Sequence, residues 1–164
     1  MQTVKQGETF APNFEAARLS RANLESANLS GARARFVDFR EANLTRALMF
    51  GAWLQGADLR NANLQNADLT GARIRAAKLD GANLAGANLE DSLGLAQEQL
   101  ECAFGDASTA LPAALHAPRH WPTGRLSATE ARIEWGRWRA DPDAYAPPRP
   151  DRHETAAGDM PHGA

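Results

Sequence analysis

Only one cysteine, Cys102, and one tyrosine occur in the 164 residues, and aromatic residues make up 7% of the chain. A lone thiol excludes an intramolecular disulfide framework and a zinc site built from several cysteines, and it fits a reducing compartment. Strong charge of either sign is also missing. Eighteen Lys and Arg stand against twenty Asp and Glu, a net charge of −2, so no long-range field draws the chain to nucleic acid or to an anionic membrane. There is no run of about 18 apolar residues of the kind that crosses a bilayer, and Met1 to Phe10 lacks the apolar centre of a secretory signal. The expected compartment is the cytoplasm, with no membrane partner. Reaction chemistry is not visible either: the sequence holds no phosphate-cradling glycine loop, no catalytic-triad spacing and no metal cluster. His116 and His120 have the spacing of a helical metal pair, but Pro118 lies between them and no acidic or cysteine partner completes a site. Neither an enzyme activity nor a cofactor is expected.

What the chain does have is a frame. From Pro12 to Asp91 a five-residue unit, A-(N/D)-L-x-x, repeats sixteen times without an insertion or deletion. Its third residues run Phe14, Leu19, Leu24, Leu29, Ala34, Phe39 and onward in steps of five to Leu89. On a helix, apolar offsets of 0, 2, 5 and 7 fall at about 0°, 200°, 140° and 340°, so no single face is apolar. In an extended segment the Ala and Leu, two residues apart, point to one side while the Asn or Asp between them points to the other. The two remaining residues, as in Ser30-Gly31 and Thr70-Gly71, have turn chemistry. A chain that bends every five residues winds into a coil.

The units Ala22-Asn23-Leu24, Ala27-Asn28-Leu29, Ala57-Asp58-Leu59, Ala62-Asn63-Leu64, Ala67-Asp68-Leu69, Ala82-Asn83-Leu84 and Ala87-Asn88-Leu89 resemble those of pentapeptide repeat proteins. The resemblance covers 80 of the 164 residues. It implies an all-β solenoid, a right-handed quadrilateral β-helix with four repeats per coil, and so about four coils. At about 4.8 Å between coils the stack would be about 20 Å tall. The expected organisation is an N-terminal lead-in or cap (1–11), the β-helix (12–91), a short capping helix (92–104), an extended linker (105–126), an amphipathic helix (127–140) and a disordered tail (141–164). The run from Gly94 through His120-Trp121-Pro122 resembles the C-terminal extension of many bacterial, especially proteobacterial, members of the family. In the capping helix Leu95, Gln99, Leu100, Ala103 and Phe104 are expected to cover the last coil, with Cys102 as a buried structural thiol. Ser127-Ala-Thr-Glu130 reads as a capping box that opens the later helix. Trp121, Trp135 and Trp138 are expected to dock the tail on the side of the solenoid.

Four repeats per coil place residues twenty apart above one another, which gives the outward columns different characters. One column reads Asn13, Arg33, Trp53, Arg73, and its neighbour reads Glu15, Arg35, Gln55, Arg75. Around the corners, Leu48 and Phe50 replace the usual polar residues of their unit, and Phe36 follows the undersized core residue Ala34. Arg33, Arg35, Phe36, Leu48, Phe50, Trp53, Arg73 and Arg75 together have the aromatic and arginine content of a protein-binding surface. The competing expectation is that Phe36 folds inward over Ala34 while the tail covers Trp53 and Phe50. Stacking of single-stranded nucleic acid on Trp53 and Phe50 is a third reading, disfavoured by the charge balance. The column Asn23, Asn43, Asn63, Asn83 reads as structural, its amides bonding to one another or to turns.

The expected function is a non-catalytic, rigid scaffold for a protein partner whose identity stays open, as does a homo-oligomer. The resemblance also supplies an alternative, since some family members imitate duplex DNA and bind DNA gyrase, giving quinolone protection. That imitation needs a strongly acidic surface, whereas Pro12 to Asp91 carry ten basic and nine acidic residues, a net charge of +1.

Overall fold

The computed structural model describes residues 11–149. The lead-in up to residue 10 and the tail from residue 150 lie outside the described residues, and with them most of the expected N-terminal cap. Parallel bridges from Asn13↔Arg33 to Arg73↔Leu93 all join residues twenty apart. Each side of a coil is a single bridged residue between two bends, so the sheets are ladders of isolated bridges rather than strands. Face one carries Asn13, Arg33, Trp53, Arg73 and Leu93; face two Arg18, Asp38, Asp58 and Lys78. Face three carries Asn23, Asn43, Asn63, Asn83 and Phe104; face four Asn28, Leu48, Asp68, Asn88 and Ala110.

The unit explains the bend. The carbonyl of each central residue accepts the amide of the alanine three positions on, as from Ala17 to Phe14 at 2.9 Å and from Ala62 to Leu59 at 3.0 Å. The residue before that alanine has a positive φ, between 55° and 70°, at every fifth position from Ala16 to Asp91. A left-handed third residue is what a type II turn demands, and Gly31, Gly51 and Gly71 meet the demand without strain. The Asn or Asp serves the same turn. Its side-chain oxygen accepts the amide two residues later, as Asn13 does from Glu15 at 3.0 Å and Asn63 from Gln65 at 3.2 Å. Asn or Asp recurs between the two inward residues because a short acceptor is needed there.

Inside, the Ala and Leu columns are closed to solvent from Leu29 upward, with Leu44, Leu54, Leu64, Leu84, Phe39 and Ile74 fully buried. Phe14, Leu19 and Leu24 in the first coil are only partly buried. Each buried side chain of this size contributes roughly 1.5–3 kcal/mol, so these columns are the main source of stability.

Beyond Asp91 the coil continues irregularly instead of ending in a capping helix over 92–104. Leu93 bridges Arg73, Phe104 bridges Asn83 and Ala110 bridges Asn88. Helix α1 spans only Gln97–Glu101. Helix propensity loses here because the amides of Gly81 and Leu84 need acceptors, which Cys102 and Phe104 supply at 2.8 and 2.6 Å. Within α1 the Gln99 side chain donates to the carbonyls of Ala77 (2.8 Å) and Ile74 (3.2 Å). It stands in for a ladder amide that the helix has turned away. Leu100 and Ala103 are buried over the last regular coil, and Leu95 is partly buried. Cys102 is exposed rather than buried, because the chain leaves the helix there and points the inward positions at its neighbours. Burial and the carboxylates of Asp80 and Glu101 raise the Cys102 pKa, so the thiol is a poor nucleophile despite its exposure.

Residues 105–126 close the end of the solenoid rather than forming an extended linker. Trp121 is 2% exposed, and its indole N–H donates to the Ala103 carbonyl at 2.8 Å. Its ring lies on Gly105, where a Cβ would come within 2.5 Å of it. Buried Asp106 ties this segment down. Its carboxylate accepts from the amides of Gly86 (3.2 Å), Ser108 (3.0 Å) and Leu126 (2.9 Å).

Helix α2 (Ala128–Ala140) starts at Ser127, which accepts from the Glu130 amide while Glu130 accepts from the Ser127 amide. The helix lies along face three. Its Ala128 carbonyl accepts from Gln65 at 2.9 Å, Ala131 packs with Ala85, and the Trp135 indole donates to Gly81 at 2.9 Å. Residues 141–149, expected to be disordered with the rest of the tail, are described and return to the same face. Tyr145 packs its ring edge on Phe104 and donates to Glu134 at 3.0 Å.

Candidate functional site

Face one is a flat, rigid wall. Trp53 donates its amide to Ala32 at 2.8 Å in the coil below, and its carbonyl accepts from Ala34 at 2.9 Å. The half-buried indole is surrounded by three guanidiniums, Arg35 at 4.7 Å, Arg73 at 5.0 Å and Arg33 at 5.6 Å from the ring centroid. Cation–π contact holds the arginines against the ring without neutralising them. Among the described residues the ion-paired arginines are Arg21, Arg40, Arg46, Arg60 and Arg137, all away from this face. Neither Arg33, Arg35, Arg73 nor Arg75 pairs with a carboxylate there. Among the described residues the Arg35 Nε and the Gln55 Oε1 are buried without a hydrogen-bond partner.

Apolar side chains stand at both corners beside Trp53. Phe50 precedes it in the chain at one corner and is 58% exposed, with Leu48 behind it on face four at 47%. At the other corner Phe36 is 70% exposed. Its ring rests over Gly56 of the Trp53 coil, where a Cβ would come within 2.6 Å of two ring carbons. Phe36 therefore does not fold inward over Ala34. It is a turn residue with φ of 56°, and the inward positions of its unit are already filled by buried Ala34 and Val37. A bulky residue in the left-handed region is strained, so the ring is held outward at a cost. Leu93, above Arg73 in the same ladder and 57% exposed, extends the surface upward. It lies outside the sixteen-unit frame, although its register, twenty residues after Arg73, is visible in the sequence. Arg75 packs its stem against Gly94.

Among the described residues, the segment after the solenoid packs on face three and not on this face. Phe104 occupies an outward ladder position on face three, and an outward aromatic ring needs a cover. Trp138 (6% exposed) and Tyr145 provide it, with ring centroids 6.0 and 6.2 Å from Phe104. His120 stacks on Trp138 at 5.2 Å and donates from Nε2 to the Ala103 carbonyl at 2.7 Å, which gives it a packing role. The asparagines of face three bond in pairs, Asn43 to Asn23 at 3.1 Å and Asn83 to Asn63 at 3.2 Å. A groove between α2 and the lower part of this face is lined by Asn43, Thr45, Asn63, Thr129, Arg132 and Ile133. Asn43 donates to Asn23 there, and the side-chain oxygens of Asn43 and Asn63 accept the turn amides of Thr45 and Gln65.

The two aspartates of face two are paired with arginines of their own units. Arg40 clasps Asp38 and Arg60 clasps Asp58, with closest contacts of 2.8 and 2.6 Å. The hydrogen bond from Arg40 lowers the Asp38 pKa from 3.8 to about 2, and Arg60 lowers that of Asp58 in the same way. A folded pKa below the unfolded value means that stability is gained above the ordinary aspartate range and lost as pH falls through the folded value. The melting temperature is therefore expected to hold steady from about pH 7 to about pH 5 and to fall as the pH drops from about 4 towards 2. In an Arg40→Ala/Arg60→Ala variant, thermal melts across this range should show a shallower acid decline. An unchanged decline would assign the acid sensitivity to other groups.

The twenty-residue ladder and its turns decide the family. The family model for pentapeptide repeats matches eight copies over residues 13–46 and 52–91. A pentapeptide repeat protein from Nostoc is 34% identical, aligned over 65% of this chain and 84% of its own, with a TM-score of 0.37. The chain belongs to the pentapeptide repeat family. The family's fold is the right-handed quadrilateral β-helix, and residues 47–51, skipped by the match, form the unit that carries Leu48 and Phe50. A pentapeptide repeat protein from the thylakoid lumen of Arabidopsis thaliana is 32% identical over 48% of this chain, with a TM-score of 0.47. The chain spans 54% of that protein's length. QnrB1, a plasmid-mediated fluoroquinolone resistance protein, is 17% identical over 66% of this chain and 68% of its own, with a TM-score of 0.36. No curated protein matches. No helix among the described residues is long and apolar enough to cross a membrane.

Proposed function

We propose that this pentapeptide repeat protein is a non-catalytic scaffold that binds a protein partner through face one and its two corners. The observation that carries the reading is a wall of arginines around Trp53 that, among the described residues, pair with no carboxylate, flanked by exposed Phe36, Leu48 and Phe50 on a face that helix α2 and residues 141–149 leave open. Aromatic and arginine anchors with this exposure are what protein interfaces use for affinity. The fold supports the role physically, because a ladder-bonded solenoid holds such side chains in place and little ordering entropy is lost on binding. Imitation of duplex DNA is not favoured. Rows of free carboxylates would be required, whereas Asp38 and Asp58 are clasped by arginines and face one is basic. The exposed thiol of Cys102 fits the reducing cytoplasm.

The test compares partner capture by the full chain with capture by a Trp53→Ala/Phe50→Ala variant. Both side chains point outward from the core, so the variant is expected to keep its circular dichroism melt while losing proteins that the wild type retains. Identical partner sets, or no partner for either, would remove face one as the binding surface.

A further inference from the structure

We propose that face one takes an acidic segment of its partner, one that carries bulky apolar side chains beside its carboxylates. The inference rests on the reading of face one as the binding surface and adds the chemistry of what binds. Charge complementarity carries it. Elsewhere on the solenoid, among the described residues, carboxylates pair with Arg21 (Glu41), Arg40 (Asp38), Arg46 (Glu25) and Arg60 (Asp58), and Arg18 alone is without an ion pair. On face one the pattern stops. Arg33, Arg35 and Arg73 face an indole, and among the described residues none of them pairs with a carboxylate. A guanidinium held near an aromatic ring stays charged and can receive a carboxylate through two of its N–H donors.

Spacing sets the register of such a ligand. Arg33 and Arg73 sit two coils apart, about 10 Å along the axis. On one face of an extended peptide carboxylates two residues apart lie about 7 Å apart and those four apart about 13 Å, so the flexible acidic side chains of one strand running along the axis span the roughly 10 Å between the two arginines. Phe50 at one corner and Phe36 at the other, seated on Gly56, then flank the strand, and Leu93 lies beyond Arg73. These apolar edges distinguish an acidic peptide from a phosphate backbone. A nucleic acid would need bases stacked on a free ring face, and the Trp53 ring is already occupied by guanidiniums.

The experiment selects short random peptides displayed on phage against the full-length wild-type chain, in parallel with an Arg33→Glu/Arg73→Glu variant. The expected wild-type pool is enriched in Asp and Glu together with aromatic or aliphatic residues, and the variant pool is not. Peptides from the wild-type pool should bind about tenfold more weakly to Arg33→Ala/Arg73→Ala. Raising NaCl from about 50 to about 300 mM should also weaken them. A neutral or basic pool, an identical pool on both proteins, or no enrichment overturns the acidic-segment proposal. So does tighter binding of a single-stranded oligonucleotide than of any selected peptide. If the pool lacks acidic residues while Trp53→Ala/Phe50→Ala still loses its partner, the binding surface stands and only its chemistry was misassigned. If partner capture also fails to discriminate, both readings fall.

Discussion

Replacing Leu64 with arginine is expected to leave no folded protein. Leu64 has no exposure and lies in a column between Leu44 and Leu84, both equally buried. Its amide bonds to the Asn83 carbonyl at 2.8 Å, so its backbone cannot swing the new side chain out of the core without breaking the ladder. A lone guanidinium there loses its hydration and finds only carbon, at a cost of several kcal/mol. The loss of leucine packing adds about 2–5 kcal/mol. A domain of this size has about 5–15 kcal/mol in total. The measurement is far-UV circular dichroism with a thermal melt, and Leu64→Ala is the graded control, folded but less stable. Soluble Leu64→Arg with the wild-type melt would be incompatible with a four-sided core closed on this column.

Trp121→Ala should have the second largest effect, through a different link. The indole is the lid of the solenoid rather than a rung of it. Its removal leaves the Ala103 carbonyl with one donor fewer and opens the surface above Gly105. Truncating a buried tryptophan costs about 3–5 kcal/mol. For a chain of this length the melting temperature should fall by on the order of 10 °C. Exposed ladder groups at an uncovered end also invite self-association, so gel filtration should show a concentration-dependent larger species. A Trp135→Ala variant, which loses a half-buried ring and one hydrogen bond to Gly81, should melt closer to wild type. Equal stability for Trp121→Ala and wild type would mean that residues 105–126 do not act as the cap.

The repeat was legible because its physics is local. Each bend is decided within five residues by an Asn or Asp acceptor and a left-handed turn position, so reading one unit reads them all. Stacking by twenty then places Arg33, Trp53 and Arg73 in one ladder from the sequence alone. The end of the chain was harder. Leu95 to Phe104 has a helical pattern, yet the open amides of Gly81 and Leu84 pull Cys102 and Phe104 into ladder positions, and only five residues stay helical. That competition is between residues some twenty apart in sequence and carries no local signal. Cys102 became exposed for the same reason.

The location of the tail follows from this shift. Once Phe104 points outward on face three, Trp138, Tyr145 and Ala131 have an apolar surface to bury, and α2 settles there. On face one the half-buried Trp53 is instead packed by its own arginines. The sequence by itself determined the coil, its core columns and the residue content of each face, because periodic local turns leave the chain one way to stack. Which face helix α2 and residues 141–149 cover was decided only by the tertiary structure, where unpaired ladder amides at the last coil had to find acceptors farther along the chain.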